Sequence, residues 1–144
     1  MNFEPVPAVH SALLALQRAT HATFQLLAAE LVDLDLTASE INALANLSDG
    51  QGRTVSQLGA AVGSRPTTLT SVLDRLERRG HITRGTRQAD RRSVLIQLSP
   101  SGRATADTIS RALAGLERRA FADLPPGAVD SFYDVLQALT EAAS

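Results

Sequence analysis

The fold is decided by residues Thr54 to Gly102, TVSQLGAAVGSRPTTLTSVLDRLERRGHITRGTRQADRRSVLIQLSPSG. This stretch reads as helix, tight turn, helix and β-hairpin. Thr54-Val55-Ser56-Gln57 is a capping box, which opens a short helix through Ala61 or Val62. Gly63 supplies the turn, because a residue without a Cβ takes a left-handed conformation freely. The next helix begins around Arg65-Pro66, with Ser64 as the expected cap. Proline is tolerated there because first-turn N–H groups have no intrahelical partner. The helix is expected to run to Arg79 and to stop at Gly80. Ile82 to Gly85 and Ser93 to Leu98 read as two strands, with Thr86 to Arg92 as the loop between them.

The second helix of this unit can be oriented by angle. At about 100° per residue, Leu69, Val72, Leu73 and Leu76 share one stripe and must face a core. Thr67, Ser71, Asp74 and Arg78 fall opposite, Thr68 and Arg75 flank them on one side, and Thr70 on the other. The exposed first half of the helix is thus Thr67, Thr68, Thr70 and Ser71, all short side chains with hydroxyls. Threonine is a mediocre helix former, so three in four positions is an odd choice for an ordinary solvent face. Such a face can enter a major groove and reach base edges, thymine methyls or phosphates. The helix N-terminus, where Arg65 sits, also favours phosphate. The hairpin loop carries Arg87, Arg91 and Arg92, suited to the negative potential of a narrow minor groove. Asp90 beside them can hold a guanidinium in place through a fork-like pair.

Charge follows the same division. All 14 basic residues are arginines. From Arg53 to Arg92 nine arginines face Asp74, Glu77 and Asp90, a balance of 9 − 3 = +6. Residues 1–52 balance at 1 − 6 = −5 and residues 93–144 at 4 − 6 = −2, which recovers the overall −1. Positive charge concentrated in the middle third suggests a polyanion partner.

The flanks read as helices. Ala8 to about Asp33 carries Val9, Leu13, Leu16, Thr20, Phe24, Leu27 and Leu31 at spacings of three and four. One helix cannot cover that surface, so it packs inside a bundle or against another subunit. Thr37-Ala38-Ser39-Glu40 is a second capping box, opening a helix with Ile41, Leu44, Ala45 and Leu47 inward and an end near Asp49-Gly50. Ser99 caps a long helix that starts at Pro100 and runs to about Phe121, with Leu113 and Leu116 on its apolar side. Pro125-Pro126-Gly127 breaks it. A last helix from about Ala128 to Ala142 presents Val129, Phe132, Tyr133, Leu136 and Leu139.

At 144 residues and 44% hydrophobic content, the chain fits one folded domain, with one core or with a small core plus an association surface. It has no cysteine, so disulfides and thiolate chemistry are excluded. Met1 to Pro7 lacks the features of a signal peptide, and no apolar run approaches the ~18 residues of a membrane span. A soluble cytoplasmic protein without membrane contact is expected. His10, His21 and His81 are the only histidines. His10 and His21 lie about three turns apart, too far to share a metal within one helix, so no metal and no cofactor are expected. No Ser-His-Asp pattern or phosphate loop is present, so no catalytic residues and no enzyme activity are expected.

These residues resemble the MarR family of winged helix-turn-helix regulators over essentially the whole chain. The resemblance rests on Leu36-Thr37, on Arg65-Pro66-Thr67-Thr68-Leu69-Thr70, and on Leu73 to Gly80. Its most specific part is Asp90-Arg91-Arg92 followed by Leu98-Ser99 and Gly102. Ser99 stands where threonine is usual, and Gly85 where a polar or basic residue is common. The resemblance implies a mainly α fold with a small β-hairpin wing, a helix-turn-helix flanked by dimerisation helices. It divides the chain into an N-terminal dimerisation helix (1–35), a DNA-binding region (36–99) and C-terminal dimerisation helices (100–144). It implies a homodimer through Val9, Leu13, Leu16, Leu113, Leu116, Phe132, Leu136 and Leu139. The DNA-contacting set would be Arg65, Thr67, Thr68, Thr70, Ser71, Arg75, Arg87, Arg91 and Arg92, with Arg92 at the wing tip. The implied function is repression at a pseudo-palindromic operator in double-stranded DNA. Release by a small aromatic or phenolic effector is a further implication, for which His10, Gln17, Arg18 and His21 are candidate lining residues. The rival reading is a dimeric interaction module or antirepressor of the same fold that has lost DNA binding. Retained arginines on the groove-facing surfaces argue against it.

Overall fold

A computed structural model describes residues 11–86 and 94–144. Val9, His10, Arg87, Asp90, Arg91 and Arg92 lie outside the described residues. Helix α1 spans Ala12–Glu30, with the Ser11 hydroxyl accepting from the Leu14 N–H. It ends sooner than Asp33, because Val32–Leu34 tightens into a 3-10 turn closed by Asp35 at φ 52°. Helix α2 spans Ala38–Ala45, and its capping box is complete in both directions. It stops at Ala45 rather than near Asp49; its C-cap is Asn46, whose side-chain amide donates to the Asn42 carbonyl. Ile41, Leu44 and Leu47 are buried as expected. Ala45 is only half-buried, and Ala43 takes the inward position at 0% exposure.

Strand β1 is the two-residue Arg53–Thr54, and helix α3 is Val55–Val62, opened by the complete Thr54/Gln57 box. Helix α4 spans Pro66–Arg78, strand β2 Ile82–Thr86 and strand β3 Val94–Leu98. The three strands form one antiparallel sheet in the order β1-β3-β2, with Arg53 opposite Ile96 and Arg84 opposite Ile96 from the other side. Strand β3 is therefore the centre of the sheet, with β2 of the hairpin on one edge and β1 on the other. A two-residue strand shows no alternation, so β1 had no pattern to read.

Helices α5 (Pro100–Phe121) and α6 (Ala128–Ala143) complete the chain. Packing divides it into two units, Met1–Ala112 and Leu113–Ser144. In the first unit the core is built by Ile41, Leu44, Leu47, Leu58, Leu69, Leu73, Leu76, Ile96 and Ile109, each below 2% exposed or at that value. Burying one such side chain contributes about 1.5–3 kcal/mol. In the second unit α6 has no buried residue, and Phe132, Tyr133 and Val135 are 44%, 63% and 51% exposed. On α1, Leu13, Leu14 and Leu26 are similarly exposed, at 48%, 50% and 43%. Leu16, Leu113, Leu116, Leu136 and Leu139 are half-buried.

The end of α4 is fixed by a Schellman arrangement. The His81 N–H donates to the Leu76 carbonyl and the Gly80 N–H to the Glu77 carbonyl. This needs Gly80 at φ +79°, a region that costs a residue with a Cβ. The junction continues into α5. Ser99 N–H donates to the His81 carbonyl at 3.0 Å, its hydroxyl donates to the Gly80 carbonyl, and the same oxygen accepts from the Gly102 N–H at 2.9 Å. Ser99 thus caps α5 and satisfies an end carbonyl of α4, so the serine in place of threonine keeps its role.

Burial lowers the His81 pKa below its ordinary 6.5, with the positive charge of Arg79 adding to the effect and Glu40 opposing it. As pH falls the unfolded chain takes up this proton before the folded one does. The stability contributed by the neutral imidazole is complete above 6.5 and is lost as pH falls from 6.5 through the lowered folded value. We expect His81→Leu to flatten the acid limb of a Tm curve recorded from pH 8 to pH 5. An acid limb unchanged by the substitution would assign it to other groups.

Candidate nucleic-acid interface

Helix α4 presents two opposite characters. Leu69, Val72, Leu73 and Leu76 are 2%, 3%, 1% and 0% exposed, the stripe read from the sequence. Thr67, Thr68, Thr70 and Ser71 are exposed, with Arg65 just ahead of them. The N-cap is Arg65 rather than Ser64, in extended conformation (φ −66°, ψ 150°) and with no side-chain cap bond. Pro66 at the first helical position fixes the entry instead: it disfavours the helical region for the residue before it, so Arg65 becomes the boundary. First-turn N–H groups are therefore left without a side-chain acceptor from the cap, beside a cationic residue.

The hydroxyls on this face are not equivalent. Thr70 donates to the Pro66 carbonyl at 2.8 Å, which commits its proton and leaves its oxygen as an acceptor and its methyl as an apolar contact. Ser71 makes a long contact of 3.4 Å to the Thr67 carbonyl, weaker than a normal bond. The Thr67 and Thr68 hydroxyls have no protein partner among the described residues, so each is free to donate or accept. A mixed set of donors, acceptors and methyls is what base edges in a major groove require.

Both flanks of α4 are held by ion pairs. On one flank Arg84 of β2 meets Asp74 (Nη2 to Oδ1, 2.6 Å) and Glu77 (Nε to Oε2, 3.6 Å). This pins the hairpin to the helix two residues before the end of β2. On the other flank Arg79 donates to the carbonyls of Leu34 (3.1 Å) and Asp35, and Arg75 Nε lies 3.7 Å from Glu40 Oε1. Arg75 is thus both a member of the expected contact set and the neighbour of a buried carboxylate. Arg84 and Glu40 were missed in the sequence, since both act through partners far along the chain. Arg78, on the exposed ridge with Ser71, carried an angular signal that placed it beside the expected set.

Arg53 is structural. It closes on Asp49 (2.8 Å) and donates to the Asn46 carbonyl, tying the α2 exit to β1. The Arg53 hydrogen bond, followed by the Gln51 backbone N–H, holds the Asp49 carboxyl below its ordinary 3.8. Elsewhere, a cleft of about 350 Å³ lies between α1 and α2 and reaches Val62 and Ser64. Gln17 and His21 line it with Thr20, Phe24 and Asn42, whereas Arg18 does not. Among the described residues no helix is long and apolar enough to cross a membrane.

The MarR family model matches residues 36–94, the span from Leu36 ahead of α2 to the start of β3. A solved structure of a MarR-family transcriptional regulator from Silicibacter pomeroyi superposes with a TM-score of 0.76 at 26% identity, over 87% of this chain and 84% of that one. The helix-turn-helix and hairpin segment of this chain, residues 36–94, is thus similar to the MarR family. Its match to the uncharacterised HTH-type transcriptional regulator YfiV of Bacillus subtilis (strain 168) is 31% identical over 74 residues. That match spans 51% of this chain and 46% of the relative. The fold is also that of a MarR-family regulator from Listeria monocytogenes solved with a 26mer DNA (TM-score 0.83, 17% identity, 92% of this chain and 88% of that one). Both solved relatives carry the name of MarR-family transcriptional regulators.

Proposed function

We propose that this chain is a MarR-family regulator, that it binds double-stranded DNA sequence-specifically as a homodimer, and that it is a repressor which a small ligand releases. The observation that carries the reading is the exposed hydroxyl face of α4, Thr67, Thr68, Thr70 and Ser71, backed by a fully buried leucine and valine stripe. A rigidly seated helix with short polar side chains outward is suited to a major groove. Arg65 and Arg75 beside it, and Arg87, Arg91 and Arg92 in the loop, supply phosphate and minor-groove contacts, with Asp90 orienting the loop. The exposed Leu13 of α1 and Phe132 of α6 support a second copy as the covering surface, in an interface that would also take the half-buried Leu16, Leu113, Leu116, Leu136 and Leu139 together with Val9. A two-fold dimer would set recognition helices in major grooves ~10 bp apart on a pseudo-palindromic site. The cleft lined by Gln17, His21, Phe24 and Asn42 suits a small aromatic effector with hydrogen-bonding groups, and a cytoplasmic location follows from the same role.

Affinity measured by anisotropy on DNA selected from a random pool tests this. The log–log plot against salt should fall steeply, by about 0.9 per phosphate neutralised. Arg92→Ala should weaken binding most at A·T-rich flanks. A ligand that releases the wild type should lose its effect in His21→Ala. A folded protein with no affinity for any DNA at low salt would refute the reading and favour a protein-interaction module.

A further inference from the structure

The flank of α4 that faces α2 holds an unusual pair. Glu40 is 3% exposed, while its neighbours on α4 are arginines. One carboxylate oxygen, Oε1, accepts from the Thr37 N–H at 3.2 Å as part of the capping box. The other, Oε2, is buried without a hydrogen-bond partner among the described residues. The capping box thus accounts for half of this group. A buried carboxylate is retained only where nearby charge compensates its lost hydration. That compensation comes from Arg75, whose Nε is itself buried, lies 3.7 Å from Oε1 and makes no hydrogen bond. The Arg75 side chain as a whole is 42% exposed. Glu40, Arg75, Arg78 and Arg79 together bound a cleft of about 310 Å³ between the two helices.

Arg79 is committed to the Leu34 and Asp35 carbonyls, and Arg78 lies on the exposed ridge. Arg75 is the arginine whose charge is shared. It stands one turn beyond Ser71 and two beyond Thr68 on the same side of the helix. We propose that Glu40 is a positioning residue that restrains Arg75, so that the hold of this arginine on a DNA backbone phosphate at the α2–α4 cleft is weaker than its position would give. The charge pair at 3.7 Å draws Arg75 toward α2 and cancels part of its field at the cleft. Removal of the Glu40 charge leaves Arg75 to pair with phosphate alone. The restraint acts on phosphate contact, which is independent of sequence, so it lowers non-specific binding together with specific binding. This inference rests on the DNA-binding reading above.

Glu40→Gln isolates the charge, because the glutamine carbonyl can still accept from Thr37 and complete the cap. Binding of the full chain to a duplex of random sequence is followed by anisotropy across a salt series at pH 8, where His81 is neutral, with Tm recorded for each variant. Glu40→Gln should bind about 3–10-fold more tightly at low salt and steepen the log–log slope by up to about 0.9, one phosphate contact. The gain should vanish in Glu40→Gln with Arg75→Gln. A merely structural Glu40 would change Tm and leave the slope alone. A folded Glu40→Gln with an unchanged slope overturns the proposal, as does a gain that persists without Arg75. If Glu40→Gln does not fold, Arg75→Gln alone decides. A shallowing of the slope smaller than one full contact supports the restraint, and no shallowing or a full contact's loss overturns it. Wild-type protein without affinity for DNA at low salt would instead remove the DNA-binding reading itself, which separates the two failures.

Discussion

Gly102→Ala should destabilise the protein by about 3 kcal/mol or more, lowering Tm by roughly 10 °C or preventing folding. A Cβ built at Gly102 meets the His81 carbonyl oxygen at 1.8 Å and the carbonyl carbon at 2.7 Å. Neither atom can move freely. The His81 carbonyl accepts from the Ser99 N–H, and the His81 N–H closes the Schellman turn on Leu76. Relief of the clash would drag α5 away from the end of α4 and break the bonds that Ser99 makes to Gly80, His81 and Gly102. Overpacking of 1–3 kcal/mol is common in cores that can relax, and this backbone junction has less room to do so. Gly85→Ala is the control: its position has no atom within 4 Å and no positive φ, so a change of about 0.5 kcal/mol or less is expected. Thermal melts of the two variants check the difference, and equal Tm values would show that the α4–α5 junction is soft.

The second large effect is expected on DNA rather than on folding. Ser71→Glu should lower affinity about 100-fold, near 2.7 kcal/mol, with Tm almost unchanged. Ser71 is exposed in the first half of α4, and among the described residues its hydroxyl makes only the long 3.4 Å contact to the Thr67 carbonyl. Its loss costs the fold little, and glutamate is the better helix former. In a major groove the same substitution places a carboxylate between two phosphate backbones and removes a short hydroxyl. The loss should shrink as salt rises, because it is electrostatic. Affinity left intact in a folded Ser71→Glu would take α4 out of the interface.

These two sites differ in how far the sequence disclosed them. The hydroxyl face was legible because α4 is a regular amphipathic helix: the angles of Leu69, Val72, Leu73 and Leu76 fix the remaining positions, and all four are buried. Gly102 was legible as part of a motif, yet its reason is a contact with His81, a residue on the far side of the β2–β3 hairpin. Arg84 and Glu40 follow the same rule. Arg84 reads as one more strand arginine until the sheet brings it against Asp74 and Glu77. Glu40 reads as an ordinary capping-box member, and that role hides its second one beside Arg75. The Ser64 cap failed for a local reason, since the constraint of Pro66 on Arg65 outweighed the preference of a serine hydroxyl for the cap.

The sequence alone determined the helical elements, both capping boxes, the buried stripe of α4 and the identity of its exposed face. Each of these depends on residues within a few positions of one another, where backbone geometry leaves few choices. Tertiary structure alone decided the third strand, the obligatory glycine at α5, the clamp of Arg84 on α4 and the burial of Glu40 next to Arg75. These arise where distant segments meet, and the chain's periodicity carries no record of which carbonyl or carboxylate will be waiting there.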